Sequence, residues 1–190
     1  HTAELLEKIL PLVNVPVVLD AGTLEALSSN IEILRRPGKE ILITPHPGEM
    51  GTLTGKTAAE IQENRLQVAL KSASEWGCLV LLKGAGTIIA APDGKAYINP
   101  TGSPALATAG SGDVLTGLIA SLAAGGLSLK DAAGCGAFIH GLAGDLFLTD
   151  RGHMARHISN KFGEAIQVLQ NRGHDTGCST FLARVRPLQE

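Results

Sequence analysis

Aromatic side chains are nearly missing from this sequence: they form 3% of its 190 residues, as one Trp, one Tyr and four Phe. A core of stacked rings is thereby excluded, and Ala, Val, Ile and Leu must fill the interior of a chain that is 44% hydrophobic. Charge is scarce too. With 18% charged residues and a formal net charge of −2, the basic surplus that nucleic-acid binding needs is lacking. The three cysteines, Cys78, Cys135 and Cys178, are too few and too far apart for a disulfide framework or a zinc site. They read as reduced thiols of a cytoplasmic protein. Neither a secretory leader nor an apolar run of membrane-spanning length is present, so no membrane partner is expected. The first residue is His1, not Met, and the chain reads as part of a longer one.

Glycine, in contrast, is abundant, with 23 residues. These lie between strongly periodic segments and mark turns and close packings rather than disorder. Residues 3–10 place Leu5, Leu6, Ile9 and Leu10 on one helical face. Val15-Pro-Val-Val-Leu-Asp20, Glu40-Ile-Leu-Ile-Thr44 and Cys78-Leu-Val-Leu-Leu82 are short apolar runs of the buried parallel-strand type. Thr57-Ala-Ala-Glu60 is a capping box that opens a helix running to Trp76-Gly77. Asp93-Gly94 turns a hairpin between Thr87–Ala91 and Ala96–Ile98. Ser128 caps a helix reaching about Phe147, and its glycines at 134, 136, 141 and 144 predict close backbone approach. An amphipathic segment covers roughly 159–170, and 173–190 reads as an irregular tail. Alternating strands and helices predict one three-layer α/β domain over residues 1–172, with a largely parallel central sheet flanked by helices. Ligands in such sheets bind beyond the carboxyl ends of the strands, which places Asp20, His46 and Glu49 at one edge.

The densest stretch is Asn99-Pro-Thr-Gly-Ser-Pro-Ala-Leu-Ala-Thr-Ala-Gly-Ser-Gly-Asp113. It leads into Val114, Leu115, Leu118, Ile119 and Leu122 at helical spacing, so a helix is predicted to begin near Gly112. Free N–H groups and the positive dipole end favour an anion there. Gly110, Ser111 and Gly112 would form the cradle, and Asp113 beside it is suited to act as a general base. A plain glycine-rich turn with an Asp in the first helical turn is the alternative. Three look-alikes fail, two of them on spacing. Gly51-Thr-Leu-Thr-Gly-Lys-Thr57 has three residues between its glycines where a P-loop has four. Gly110-Ser-Gly112 is followed by Leu115 where the dinucleotide fingerprint has Gly. His153 and His157 lack an intervening Glu and a third ligand, and read as a solvated helix face.

Thr44-Pro-His-Pro-Gly-Glu-Met50 and Asn99-Pro-Thr-Gly…Ala-Gly-Ser-Gly-Asp-Val-Leu-Thr-Gly117 together closely resemble the ADP/ATP-dependent NAD(P)H-hydrate dehydratases of the ribokinase-like superfamily. Leu82-Lys-Gly-Ala-Gly-Thr87 and His140-Gly-Leu-Ala-Gly-Asp145 are similar to that pattern in the same order. The likeness covers roughly residues 13 to 150. It implies a ribokinase-like fold and a repair enzyme that phosphorylates the ring hydroxyl of hydrated NADH or NADPH and eliminates phosphate. It further implies ADP or ATP with Mg²⁺ as cofactors. By the same likeness Asp113 would take the role of catalytic base, with Gly110, Ser111 and Gly112 as the anion hole. The likeness would assign His46, Asp20 and Asp113 to substrate binding, and Lys83, Gly84, Ala85, Gly86, Thr87 and Gly112 to nucleotide binding. Glu49 matches a position that organises Mg²⁺ through water. His46 bonding within its own two-proline turn, and Glu49 as a mere first-turn carboxylate, stay open as alternatives.

Departures are visible as well. Asp20-Ala-Gly-Thr-Leu-Glu25 replaces the family's Asp-Ala-Asp-Ala-Leu-Asn, while Ser111 and Ala105 stand where Gly is usual. The family's N-terminal portion is missing, and a fused or partnering epimerase domain and a homo-oligomer are expected. The competing readings are a ribokinase-like kinase of a small alcohol and an incomplete nucleotide-binding fragment.

Overall fold

Three short aliphatic runs set the frame. β1 (Val17–Leu19), β2 (Ile41–Ile43) and β3 (Leu79–Leu82) lie side by side and parallel, with Val18 opposite Leu42 and Ile43 opposite Val80. β4 (Ile88–Ala90) returns antiparallel, pairing Leu81 with Ile89, and β5 (Ala96–Ile98) completes the order β1-β2-β3-β4-β5. Ile43, Val80 and Leu82 on one face, and Leu42, Leu81 and Ile89 on the other, are all buried. A strand buried on both faces has no polar side to show, which is why these runs do not alternate. The predicted hairpin is present: Gly94 adopts φ 83, and the Ala91 N–H donates to the Lys95 carbonyl at 2.8 Å.

The computed structural model describes residues 2–35 and 40–176. Two units are separable: one runs to Gly84 and takes in Ile88–Ala96, the other holds Ala85–Thr87 and the described chain from Tyr97 on. In the first, α1 (Thr2–Ile9), α2 (Gly22–Leu27), α3 (Pro47–Thr54), α4 (Ala58–Glu63) and α5 (Arg65–Trp76) accompany the strands. Leu24, Leu27, Met50, Ile61, Val80 and Leu82 form its core with Trp76. Each such side chain, fully buried, contributes about 1.5–3 kcal/mol. The predicted face of α1 is only partly used: Leu6 packs on this core, while Leu5 and Ile9 are exposed.

Two local differences from expectation have clear causes. The helix predicted from Thr57 to Trp76 is broken at Asn64, whose φ −129 and ψ 34 leave the helical region between α4 and α5. Asn competes with helical geometry through its own short polar side chain. The near P-loop is an ordinary helix end. Gly51 lies inside α3, and Gly55 closes it in the left-handed region at φ 70.

The second unit contains α6 (Ser111–Ala124), α7 (Leu129–Asp145), α8 (Ala155–Asn160) and α9 (Phe162–Thr176). Ile139, Leu142, Ala143, Ile158 and Ala165 are its buried cluster, with Phe138, Phe147 and Phe162 packed against it. The last helix continues past the predicted segment, so Gly173–Thr176 are helical. Residues 177–190, including Cys178, lie outside the described residues. None of the described helices is long and apolar enough to cross a membrane.

Candidate active site

Each parallel strand of the first unit delivers a polar side chain just past its carboxyl end. β1 delivers Asp20, β2 leads through Thr44-Pro45 to His46, and β3 delivers Lys83. The Lys83 Nζ lies 2.8 Å from Asp20 Oδ1 and 3.6 Å from Glu49 Oε2, with Lys83 19% exposed, Asp20 9% and Glu49 20%. The sequence placed Asp20, His46 and Glu49 at one edge. The structure brings them together and adds Lys83 as the cation between the carboxylates.

His46 caps α3. Its Nδ1 accepts from the N–H groups of Gly48 at 3.0 Å and Glu49 at 3.2 Å, while Glu49 Oε2 accepts from the His46 N–H at 2.7 Å. This is a capping box in which an imidazole replaces the usual hydroxyl. An Nδ1 that accepts leaves the hydrogen on Nε2, and His46 is exposed. Both alternatives left open by the sequence, the bond within the turn and the first-turn carboxylate, are therefore present in the geometry. The outer Nε2 of His46 lies 3.6 Å from Glu49 Oε2, too far for a hydrogen bond, on an exposed ring that a ligand can reach. Glu49 is occupied by the cap and by Lys83. A cleft of about 340 Å³, lined by Ala21, Gly22, Glu25, His46, Glu49 and Thr52 among others, opens beside them. Ala21, at φ 52, is the one non-glycine residue with positive φ among the described residues. Such a conformation persists only where the surroundings over-determine it.

Behind Lys83 stands a residue the sequence did not single out. Arg65 Nη2 donates to the Leu82 carbonyl at 3.2 Å, and a Cβ on Gly84 would lie 2.1 Å from Arg65 Nη1. Burial lowers the pKa of this guanidinium. At φ 143 the Gly84 backbone itself favours glycine, and the guanidinium tip occupies the space that a side chain there would take. Of the predicted nucleotide segment, Lys83 and Gly84 belong to the first unit, and Ala85, Gly86 and Thr87 to the second.

In the second unit, Gly110 caps α6 at φ 82, and a Cβ there would lie 3.2 Å from that of Ala155. The helix begins at Ser111, one residue before the expected Gly112. Asp113 is exposed in its first turn. The Ser111 N–H donates to the Thr108 carbonyl at 3.1 Å, and the Val114 N–H to Gly110 at 3.1 Å. The amides of Gly112 and Asp113 are left without a protein partner among the described residues. Ser111, expected to lend its amide to the anion cradle, has that N–H bonded to Thr108, and its buried hydroxyl rests against His140.

The Asn99-Pro-Thr-Gly motif is explained by what it grips. Asn99, 7% exposed, donates from Nδ2 to the carbonyls of Thr101 at 3.1 Å and Ala137 at 3.0 Å. Thr101 Oγ1 donates to the Phe138 carbonyl at 2.9 Å, and the Gly102 N–H to both oxygens of Asp145 at 3.1 Å. The His140–Asp145 motif is thus the other half of a clamp. The His153 and His157 pair also has local duties. His153 Nε2 lies 2.8 Å from the Thr149 carbonyl, and His157 Nδ1 accepts from the Met154 N–H at 3.1 Å. Groups of three or more His, Cys, Asp or Glu able to hold a metal do not occur among the described residues.

A mostly parallel sheet with its polar groups at the strand carboxyl ends is the arrangement in which α/β proteins hold their ligands. A ribokinase-like superfamily protein from Enterococcus faecalis has the same fold, with a TM-score of 0.70 at 21% identity over 87% of this chain and 58% of that one. Within that class, the chain belongs to the NAD(P)H-hydrate dehydratase family, whose model matches residues 1–166. It is 51% identical over 170 residues to a bifunctional NAD(P)H-hydrate repair enzyme of Moorella thermoacetica, covering 90% of this chain and 32% of that protein. It is also similar to the ADP/ATP-dependent NAD(P)H-hydrate dehydratase of Bacillus subtilis, crystallised with ATP/Mg²⁺. The TM-score is 0.75 at 31% identity, over 82% of this chain and 56% of that one. The chain therefore spans about a third of the first protein's length and about half of the second's.

Proposed function

We propose that this chain carries the dehydratase site of nicotinamide-cofactor repair, returning (6S)-hydrated NADH or NADPH to NADH or NADPH with ADP or ATP as phosphoryl donor. The observation that carries the reading is the gathering of Asp20, His46, Glu49 and Lys83 at the carboxyl ends of three adjacent strands, beside an open cleft, in a member of this family. Supporting it, Asp113 stands at a helix start where its own amide and that of Gly112 have no protein partner among the described residues.

Hydration puts a hydroxyl on the nicotinamide ring and removes one ring double bond. Asp113 accepts the proton of that hydroxyl as its oxygen bonds the terminal phosphorus of the nucleotide. The bond from that phosphorus to its bridging oxygen breaks, leaving AMP from ADP or ADP from ATP. Charge spreads over the phosphoryl oxygens during transfer, where the Gly112 and Asp113 amides and the helix dipole stabilise it. The phosphate ester leaves far more readily than hydroxide. The ring nitrogen supplies electrons as the C–O bond breaks, a ring proton is lost, and the double bond and inorganic phosphate appear with no net redox change.

His46, through its outer N–H, and the Asp20–Lys83 pair are assigned to orienting substrate and phosphate. The Bacillus protein was crystallised with ATP/Mg²⁺. The described residues here do not form a protein-built metal site, and Glu49 has its cap and its lysine to serve, so no step passes through it to a metal. Mg²⁺ generally travels with nucleotide phosphates and keeps most of its water. Because the Moorella relative is bifunctional, a fused or partnering epimerase is proposed to supply the second half of the repair.

Incubating the full gene product with ADP or ATP, magnesium and chemically hydrated NADH tests this. The absorbance of the reduced ring is expected to return in proportion to enzyme. Absence of any recovery, together with phosphorylation of a small alcohol, would sink the reading.

A further inference from the structure

One buried histidine takes no part in that chemistry yet touches its machinery from behind. His140, on α7, is 7% exposed. Its Nε2 lies 3.1 Å from the carbonyl oxygen of Ser111 and 3.2 Å from the Ser111 hydroxyl. A carbonyl oxygen can only accept, so Nε2 carries the hydrogen and Nδ1 is bare. Burial pushes the imidazole pKa down to about 4, against a smaller upward effect of the bond to Ser111, so the ring is a neutral donor around neutrality.

Every polar group of Ser111 is thereby committed. The N–H donates to Thr108, the carbonyl accepts from His140, and the hydroxyl shares the same nitrogen. Thr108 is tied in turn, its hydroxyl donating to the His153 carbonyl at 3.0 Å. Ser111 is the residue immediately before the two unpartnered amides. A residue fixed in this way sets the direction of the peptide units that follow it.

We propose that His140 is a positioning residue for phosphoryl transfer: by gripping Ser111 from within α7 it aims the Gly112 and Asp113 amides and the Asp113 carboxylate. This rests on the reading that the start of α6 receives the phosphoryl group. The rival account is a satisfied core histidine whose loss lowers stability alone. The two differ in what a donor-retaining replacement does. Gln places an amide N–H near the position of Nε2, whereas Leu fills space without a donor.

The test has three readouts on the full gene product. Per folded molecule, His140→Leu is expected to lower kcat by about 10- to 100-fold with nucleotide KM within about threefold, and His140→Gln to restore most of it. The amide NMR signals of Gly112 and Asp113 are expected to shift saturably with ADP in the wild type and in His140→Gln, and far less in His140→Leu. The imidazole nitrogen spectrum of the wild type is expected to show Nε2–H with bare Nδ1 at neutral pH. Wild-type kcat and ADP response in His140→Leu, or an Nδ1–H tautomer, would overturn the proposal. Should His140→Leu fail to fold, the tautomer and the ADP response of His140→Gln decide. If hydrated NADH is never repaired but the ADP response follows the donor, the dehydratase reading falls and the positioning role stands.

Discussion

At the strand ends of the first unit, polar groups are held by opposite charge. Lys83 sits between Asp20 and Glu49, and Glu49 is shared with the cap of α3. At the start of α6 in the second unit, the holding is done by neutral groups, buried or half-buried: His140, Thr108 and, further back, the Asn99–Thr101 clamp. The contrast has physical consequences. Partly exposed ion pairs are screened by salt and contribute modestly. Buried neutral bonds are indifferent to salt, but one built on histidine fails when acid charges the ring. The first arrangement adapts to a polar ligand that brings its own charge. The second keeps a geometry fixed before the ligand arrives.

The largest effect that separates the two regions is expected from Asp113→Asn. The exposed amide cannot accept the hydroxyl proton, so turnover should fall by about 10²- to 10⁴-fold. The buried anchors are untouched, and calorimetric nucleotide affinity should stay within a few fold. Near-normal turnover would remove Asp113 from the base role and leave the strand-end cluster to supply it.

Next in size is a pH effect confined to the second unit. The His140 pKa is about 4 in the fold and 6.5 ordinarily. Between those values the unfolded chain binds more protons, so stability is fully present above about pH 6.5 and is lost as pH falls toward 4. The loss is of the order of 3 kcal/mol, and this group adds nothing further below pH 4. Urea midpoints of wild type and His140→Gln, compared at pH 7, 5 and 4, isolate it. Equal pH slopes in the two proteins would show that the ring is not held neutral.

The ionic side of the comparison gives a smaller number. Lys83→Met leaves Asp20 and Glu49 without their shared cation. In a double-mutant cycle with Asp20→Asn, a coupling of about 1–2 kcal/mol is expected, since the pair is largely but not fully buried. That coupling should shrink as salt rises, whereas the acid-linked loss at His140 should not. A salt-independent coupling would place Lys83 and Asp20 in a drier setting than their exposures show.

What was legible in the sequence divides along the same line. The strands, the Thr57 and Ser128 caps and the helix start near Gly112 are written in residues within a few positions of one another, and they stand in the structure. Asp20, His46 and Glu49 could be placed at one edge because each follows its own strand. Lys83 reads locally as a phosphate-binding loop lysine, but its partner Asp20 is 63 positions away, and local spacing carries no sign of it. Ser111 reads as part of a cradle because its neighbours are glycines. The structure shows its amide bonded to Thr108 and its hydroxyl buried against His140, 29 positions on, a contact that local spacing does not announce. Arg65 gave no signal beyond the glycine at position 84 that makes room for it, and the break at Asn64 was masked by strong helix formers on both sides.

The glycines of α7 show how finely that scaffold is fitted. A Cβ on Gly141 would lie 2.1 Å from Thr101 Oγ1 and 2.7 Å from the Thr101 carbonyl carbon and oxygen, whereas one on Gly134 meets nothing within 4 Å. The backbone of Thr101 cannot retreat without breaking its bonds to Asn99 and Phe138. Gly141→Ala is therefore expected to destabilise by about 1–3 kcal/mol and to loosen the loop that leads to α6. Gly134→Ala should stabilise the same helix by about 0.5–1 kcal/mol, because alanine has less conformational freedom to lose. Thermal midpoints moving in opposite directions would show that α7 is a clamp with one tight end. A gain at both positions would mean that the loop follows the helix rather than being gripped by it.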